Sequence, residues 1–528
     1  YGIPSILLME NAAHAAANVI KEKLGGSVSG KSFLILCGKG NNGGDGAALA
    51  RILATQGAKV TVYLAGSIEE TKGDAEVNFQ ILQKINKAID FTNEKNRIVQ
   101  FSNSIGYFSL CQIESYEHWQ KIDDYLMKLV NHFDVFVDAL FGTGLTRPLE
   151  GYYKAIPDFY NSIYSFNQRY KRKRPLLVSI DIASGLDADL VQTIGNSIQS
   201  DLTVSFTAPK LANVLPPASN FNGELVVANI GSPRELIDNS PSKTFLAEKS
   251  DAQSWLEQTK FTSSSYKNKR GHALLIVGSK EYSGAAVLAG NAAMVSGVGL
   301  TTIATSESAQ TAIAAKVLEE IIVRGLPENK DGAIDAKAFA EIEKLTEKID
   351  VVGIGSGLGV QSPKSKVQSP KNFVREVVTK RKTPIVIDAD GLNALSPFEL
   401  KGSDELPVIL TPHEGEFLRL LGTKDKEVLK DRVKAIRAFA EKHHVILVLK
   451  GERTLISAPD GRVVINPTGN SGLGKAGNGD TLTGIITGFI AQSVQAKADI
   501  FETVVAAVYI AGLAGDIAAE KFGKRTML

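Results

Sequence analysis

The strongest constraint on the fold lies near the start of the chain, where a short apolar run, a glycine-rich loop, a helical stretch and a second apolar run follow one another. Ser32-Phe33-Leu34-Ile35-Leu36-Cys37 reads as a buried strand, residues 45–56 as a helix, and Lys59-Val60-Thr61-Val62-Tyr63-Leu64 as the next strand. Two strands joined through a helix run parallel, with a right-handed crossover. Further strand-like runs stand at 135–138, 176–180, 202–206 and 225–228. A parallel sheet of this kind is covered on both faces and carries its ligand loops at the carboxyl ends of the strands.

At about 100–200 residues per domain, 528 residues leave room for two to four domains. The pattern breaks into Ser, Pro, Asn and Asp between 231 and 243, so the expected domains are 1–235 and 240–528. The second opens a new α/β series, with strands at 273–277, 300–304, 351–354, 385–387, 408–410 and 445–449. Runs at 453–457 and 462–465 flank Pro459-Asp460-Gly461, a hairpin signal. Residues 93–120 show no clean period, and Lys171-Arg172-Lys173-Arg174 reads as a solvated loop.

An apolar content of 44% excludes a disordered chain, and a net charge of +2 leaves no general excess of positive charge for gripping nucleic acid. Cys37 and Cys111 are too few for a disulfide framework or a cysteine-rich zinc site, which fits a reducing cytoplasm. The apolar stretch 504–515 is shorter than the ~20 residues of a membrane span and reads as a buried helix, so no membrane partner is expected. The chain opens on Tyr1 without a charged-then-apolar leader, and residues are expected to precede it. His443 and His444 close a helix and are expected to face solvent.

Gly38-Lys39-Gly40-Asn41-Asn42-Gly43-Gly44-Asp45-Gly46 joins the first strand to its helix. Glycines let the backbone approach a ligand, and a helix N-terminus offers free N–H groups to an anion. The glycine spacing matches GxGxxG, but the acid that a dinucleotide site expects after the second strand is replaced by Ala65, Gly66 and Ser67. Two more polar loops follow strands, one running from Asp138 through Gly142 to Leu145 and one carrying Asp181, Ser184 and Asp187. Two aspartates beside an anionic ligand call for a cation. Asn42, Asp138 and Ser184 supply hard oxygen donors for a monovalent or divalent one. Asp181 is the ionisable group at these strand ends best suited to proton transfer.

The runs GNNGGDG, DALFGTGL, DIASGLD and TVSFTAPK, in that order, resemble the N-terminal domain of the NAD(P)H-hydrate repair proteins, the NAD(P)HX epimerase. The resemblance covers residues 1 to about 235. It implies substrate contacts at Asn41, Asn42, Gly43, Gly44 and Asp45, at Gly142, Thr143, Gly144, Leu145, Thr146, Arg147 and Pro148, and at Tyr153 and Asp181. It implies potassium at Asn42, Asp138 and Ser184. Ala183 stands where the family usually has Pro, whose ring would stiffen the loop.

In the second half, residues 466–480 form a glycine-rich approach to an apolar helix beginning near Thr481. Backbone N–H groups from Gly477 to Asp480 would stabilise a transferring phosphoryl group, and Asp480 would take a proton from an attacking hydroxyl. Lys475 is not followed by Ser or Thr, so this is not a Walker A loop. GHALLIVGS, YSGAA, GSGLG, DADGLNAL, TPHEGE, KGERT and GNSGLGKAGNGD together resemble the NAD(P)H-hydrate dehydratase of the ribokinase-like superfamily, from about residue 240 onward. The family usually has Pro at Ser356, Ala at Gly391 and Gly at Ala476, and normally one more helix after Leu528. The resemblance implies contacts with the dinucleotide hydrate at Ala285, Gly357, His413 and Asp480. It implies adenylate contacts at Lys450, Gly451, Glu452, Arg453, Thr454 and Gly479.

The expected fold is α/β throughout, a Rossmann-like parallel-sheet domain followed by a ribokinase-like domain. The resemblance implies a bifunctional repair enzyme that interconverts R and S NAD(P)HX and dehydrates the S form. Its expected needs are K⁺ in the first domain and Mg²⁺ with ADP in the second, and it is expected to form a homo-oligomer. A small-molecule kinase of the hydroxymethylpyrimidine or sugar type shares the second set of motifs. A dinucleotide-binding module without turnover shares both.

Overall fold

The computed structural model describes residues 1–88, 108–170, 174–359 and 369–527. They divide into two compact units, Tyr1–Pro241 and Ser242–Leu528.

The strands of the first unit are β1 (Ser32–Cys37), β2 (Lys59–Ala65), β3 (Phe108–Ile113), β4 (Val135–Ala139), β5 (Leu176–Ile180), β6 (Leu202–Phe206) and β7 (Glu224–Ala228). They form one sheet in the order β3-β2-β1-β4-β5-β6-β7, and every pairing is parallel. Side chains alternate across a strand, and β1 divides its own accordingly. Phe33, Ile35 and Cys37 enter a core built with helices Ser5–Lys23 and Asn41–Thr55. Leu34 and Leu36 enter another with Trp119, Phe159 and Tyr160, from helices Tyr116–Leu129 and Ile156–Tyr170. The sheet is therefore covered on both faces, and its order reverses direction between β1 and β4, the kind of position where such sheets bind ligands.

The second unit contains β8 (Thr244–Leu246), β9 (His272–Ile276), β10 (Leu300–Ser306), β11 (Ile322–Leu326), β12 (Val351–Ile354), β13 (Ile385–Ile387), β14 (Val408–Leu410), β15 (Ile446–Leu449), β16 (Leu455–Ser457) and β17 (Val463–Ile465). The sheet order is β11-β10-β9-β12-β13-β14-β15-β16-β17-β8. The β16–β17 pair is antiparallel, as the Pro459-Asp460-Gly461 signal predicts, β15–β16 is antiparallel too, and β8 pairs parallel to β17. Every residue of β12 to β15 is buried, so the middle of this sheet is covered on both faces. The expected α/β classes, Rossmann-like and then ribokinase-like, hold.

Several local expectations change. The helix after β1 starts at Asn41, not at residue 45. Within 93–120, residues 108–113 form an edge strand and Tyr116–Leu129 a helix capped by Ser115. Residues 93–107 and 171–173 lie outside the described residues, but Arg174 is no solvated loop residue. It pairs with Asp201 through both guanidinium NH₂ groups and lies over the Tyr164 ring at 5.1 Å. The apolar stretch 504–515 belongs to a longer helix, Ile500–Phe522, which by length and composition alone could cross a membrane. Its Phe501 and Val504 to Val508 are buried in the core with Ile486, Phe489 and Ile490 of helix Asn478–Ala496. His443 is buried rather than solvent-facing. Its Nδ1 lies 3.0 Å from the Leu400 carbonyl, and burial lowers its pKa. His444 pairs with Asp404 at 2.7 Å.

Candidate functional site

In the first unit the loops after β1, β4 and β5 meet at the carboxyl ends of the strands. A Cβ at Gly38 would sit 1.9 Å from the Leu140 carbonyl oxygen, and one at Gly43 1.7 Å from that of Gly38. Only glycine permits this closeness, which sets the first turn of helix Asn41–Thr55 against the β4 loop. Gly44 N–H makes a helical bond to the Gly40 carbonyl, 3.0 Å. The N–H groups of Asn41, Asn42 and Gly43 come before it, at the helix end that attracts anions. Of the substrate residues expected on the β4 loop, Thr143, Gly144, Thr146, Arg147 and Pro148 are exposed, and Gly142 and Leu145 are half-buried. Tyr153 packs on Phe141 at 5.1 Å and donates its hydroxyl to the Ala65 carbonyl at 2.8 Å, which anchors it at the end of β2.

Asp138 is fully buried and both its oxygens are held. The β4–β5 register sets it beside Ser179, whose hydroxyl donates to Oδ2 at 2.9 Å. Ser184 donates its backbone N–H to Oδ2 at 2.8 Å and its hydroxyl to Oδ1 at 2.6 Å. Leu140 N–H reaches Oδ1 at 3.2 Å. Burial raises the Asp138 carboxyl above its ordinary pKa, and these bonds oppose the shift. Asn42 is 6% exposed and lies against Gly142, and neither its Oδ1 nor its Nδ2 has a hydrogen-bond partner. A buried amide oxygen left unsatisfied on the β1 loop, with a carboxylate and a hydroxyl where the β4 and β5 loops meet, is a donor set that suits a hard cation. No cluster of three His, Cys, Asp or Glu residues suited to a metal occurs among the described residues, so a site here would rest on mixed oxygen donors.

Asp181 follows β5 with φ +66°, a backbone state uncommon outside glycine and often found at functional sites. Its N–H bonds the Val204 carbonyl at 2.7 Å, and its carboxylate is paired with Lys210. Asp45 lies near enough to feel its charge. Burial, and then Asp181, push the Asp45 carboxyl well above the usual range. Two neighbouring carboxyls in different environments, one salt-bridged and one desolvated, are the arrangement that separates acid from base. Lys210 is the residue that sequence reasoning left without a role, although the TAPK run contained it.

In the second unit the predicted residues converge at strand ends. The helix expected near Thr481 begins at Asn478, and its N-cap Gly477 takes φ +93° with a Cβ position 2.6 Å from Leu288. Asp480 therefore stands in the first helical turn. A Cβ on Gly479 would lie 3.5 Å from Lys450 Nζ and 3.7 Å from Asp388 Oδ2. Asp388, 1% exposed, accepts from Lys450 Nζ at 2.7 Å and Thr411 at 2.8 Å on Oδ1, and from Thr483 at 3.0 Å on Oδ2. Burial raises the Asp480 carboxyl above its ordinary value. Ser356 opposes the shift, Asp388 adds to it, and Lys450 opposes it. A Cβ on Gly357 would be 3.0 Å from Ala285, so these two expected contacts are neighbours. His413 bridges to Lys450 and heads helix Glu414–Leu420, its Nδ1 accepting from Gly415 N–H at 3.0 Å. Gly451, Glu452 and Arg453 are exposed, Arg453 donating to the Pro467 carbonyl, and Thr454 donates to the Gly451 carbonyl at 3.4 Å. The cluster combines an ammonium, open helical N–H groups and a basic carboxylate, which suits phosphoryl transfer. A cavity of about 410 Å³ bordered by Asp350, Lys382, Asp404 and Lys497 lies at the opposite, amino ends of these strands.

Sheet topology and strand-end loops of this kind define a two-unit α/β protein with a candidate ligand site at the strand ends of each unit. A family model described as YjeF-related protein N-terminus matches residues 5–212, and one described as NAD(P)H-hydrate dehydratase matches 273–528. The bifunctional NAD(P)H-hydrate repair enzyme Nnr of Moorella thermoacetica is 36% identical over 531 residues, spanning 100% of this chain and 91% of its own. The enzyme of the same name from Thermofilum pendens is 33% identical, spanning 99% of this chain and 90% of its own. The chain belongs to the family of bifunctional NAD(P)H-hydrate repair enzymes. Among solved structures, the ADP/ATP-dependent NAD(P)H-hydrate dehydratase of Bacillus subtilis, co-crystallised with ATP and Mg²⁺, is 34% identical with a TM-score of 0.42. It covers 51% of this chain and 88% of its own.

Proposed function

We propose that the chain repairs hydrated nicotinamide nucleotides, the first unit interconverting the two C6 epimers of NAD(P)HX and the second dehydrating the S epimer with ADP. The observation that carries the reading is Asp480 in the first turn of an open helix N-terminus, with Lys450 held beside Gly479 by Asp388.

In the second unit the C6 hydroxyl gives its proton to Asp480 while its oxygen bonds the β-phosphorus of ADP, and AMP leaves. The helix N–H groups and Lys450 take up the charge that develops. Phosphate, a far better leaving group than hydroxide, then departs from C6 with the C6–O bonding electrons, and C5 gives its proton to the departing phosphate as the C5–H electron pair forms the C5=C6 bond. The sum is NAD(P)HX plus ADP giving NAD(P)H, AMP and phosphate. Mg²⁺ would supply charge neutralisation at the phosphates. Lys450, Gly451, Glu452, Arg453 and Thr454 would bind the adenylate, and Ala285, Gly357 and His413 the dinucleotide.

Inversion at C6 of a hemiaminal follows as the C6 hydroxyl gives up its proton, the C6–N1 bond breaks with its electron pair going to N1 to leave an aldehyde, the carbonyl turns over, and N1 re-forms the bond on the other face while the proton returns to oxygen. Asp181 is the proton acceptor and donor in this reading. Asn41 to Asp45, the β4 loop and Tyr153 form the cradle for the dinucleotide. Asn42, Asp138 and Ser184 would hold potassium, which offsets the phosphates' charge. The test supplies purified S hydrate with ADP, or with ATP freed of ADP. NADH recovery with AMP and phosphate released from ADP supports the assignment. Turnover with ATP alone would replace the nucleotide, and a stable phosphorylated product without NADH would replace the dehydratase by a kinase.

A further inference from the structure

Lys210 reaches the first site from the loop after β6, on the TAPK run to which the proposed reaction gives no task. Its ammonium bonds Asp181 Oδ1, and it also donates to Ser205 Oγ at 2.9 Å and to the Phe206 carbonyl at 3.1 Å. Two weaker donors, Phe206 N–H at 3.3 Å and Ser205 Oγ at 3.4 Å, converge on the same Oδ1. Oδ2 accepts from no described residue. The two side chains are 16% and 15% exposed, so this is a largely desolvated pair and not a surface bridge. Asp181 keeps φ +66° next to it, a backbone state that the surrounding contacts must hold in place.

A carboxylate gripped on one oxygen by three donors and left open on the other is oriented as well as neutralised. We propose that Lys210 is a positioning residue for epimerisation, fixing Asp181 by Oδ1 so that Oδ2 is the oxygen that exchanges a proton with the C6 hydroxyl. This rests on the epimerase reading of the first unit. The ammonium also places one positive charge on Oδ1, the side of the carboxylate that the donors already hold. A merely structural ion pair would need no open oxygen and would leave turnover unchanged as long as the unit stayed folded.

The test uses the full chain with Lys210→Met and Lys210→Arg and purified R hydrate, with thermal unfolding of the first unit followed in parallel. In Lys210→Met the epimerisation kcat falls about 10²-fold or more, the scale of a misplaced proton-transfer group, while KM stays within a few-fold. Lys210→Arg, which keeps the charge and can bond Oδ1, recovers part of that kcat. If Lys210→Met loses the unfolding transition, Lys210→Leu replaces it, since it is likewise neutral and has no donor for Oδ1, and its outcomes are read the same way. A wild-type kcat in the folded neutral variant, a loss confined to KM, or an Arg variant no better than Met would overturn the proposal. A wild-type chain that leaves the R hydrate unchanged would remove the epimerase reading, and this proposal with it.

Discussion

Asp181 and Asp480 are the two residues on which the chemistry turns, and each has a variant that separates its reaction from the other. Asp181→Asn should lower epimerisation by about 10²–10⁴-fold and leave dehydration of pure S hydrate at the wild-type rate, as judged by separate assays of each epimer. Asp480→Asn should do the reverse. Because burial raises the Asp480 carboxyl, the acidic limb of the dehydration profile should fall above the ordinary aspartate value of about 3.9. As a base Asp480 acts only when ionised, so activity disappears as pH drops through the raised pKa. A limb at or below the ordinary value would argue for another base. Both aspartates were legible from the sequence because Asp181 follows a strand in a loop of Ser and Gly and Asp480 closes a glycine-rich approach to a helix. Asp388 and Lys210 were not. Asp388 lies inside a quoted run, yet its pairing with Lys450 spans 62 positions, and that of Lys210 with Asp181 spans 29. Contacts at that separation depend on strand order, which a single sequence does not display.

At the scale of elements, helix starts carry both sites, and both start earlier than the apolar pattern indicates. Asn41 to Gly44 and Asn478 to Gly479 are polar or glycine and show no period, so periodicity detects these helices only at Asp45 or Thr481. The long parallel strands were legible from their unbroken Val, Ile and Leu. β3, β8 and β11 were not, because β3 alternates Ser, Cys and Gln, β8 has three residues, and β11 carries Arg324 and Gly325. All three lie on sheet edges, where one-sided pairing needs fewer apolar side chains. Helix Asn478–Ala496 packs on helix Ser283–Val295 through Gly484, whose Cβ position is 2.1 Å from the Ala289 carbonyl oxygen. Gly484→Ala should cost about 1–3 kcal/mol in the second unit by overpacking and weaken dehydration, while epimerisation persists. Thermal unfolding together with both assays checks it, and unchanged dehydration would show that this contact does not position Asp480.

For the whole molecule, each unit has its own sheet and its own core, so ligands should act on them separately. A ligand at 100 times its Kd stabilises the folded state by about 2.7 kcal/mol. ADP with Mg²⁺ should therefore raise only the unfolding transition of the second unit. Potassium, in place of a bulky organic cation, should raise only that of the first, and Asn42→Ala should remove the potassium effect. Calorimetry of the full chain reads all three, and a potassium shift that survives Asn42→Ala would move the cation elsewhere. The most direct measurement mixes R and S NADHX with the protein, ADP, Mg²⁺ and K⁺ and follows dihydronicotinamide absorbance. Wild-type protein should recover both epimers, Asp181→Asn should recover quickly only the S share, and Asp480→Asn should recover neither on the same timescale. Rapid recovery of both epimers by Asp181→Asn, or no recovery by the wild type, would contradict this reading.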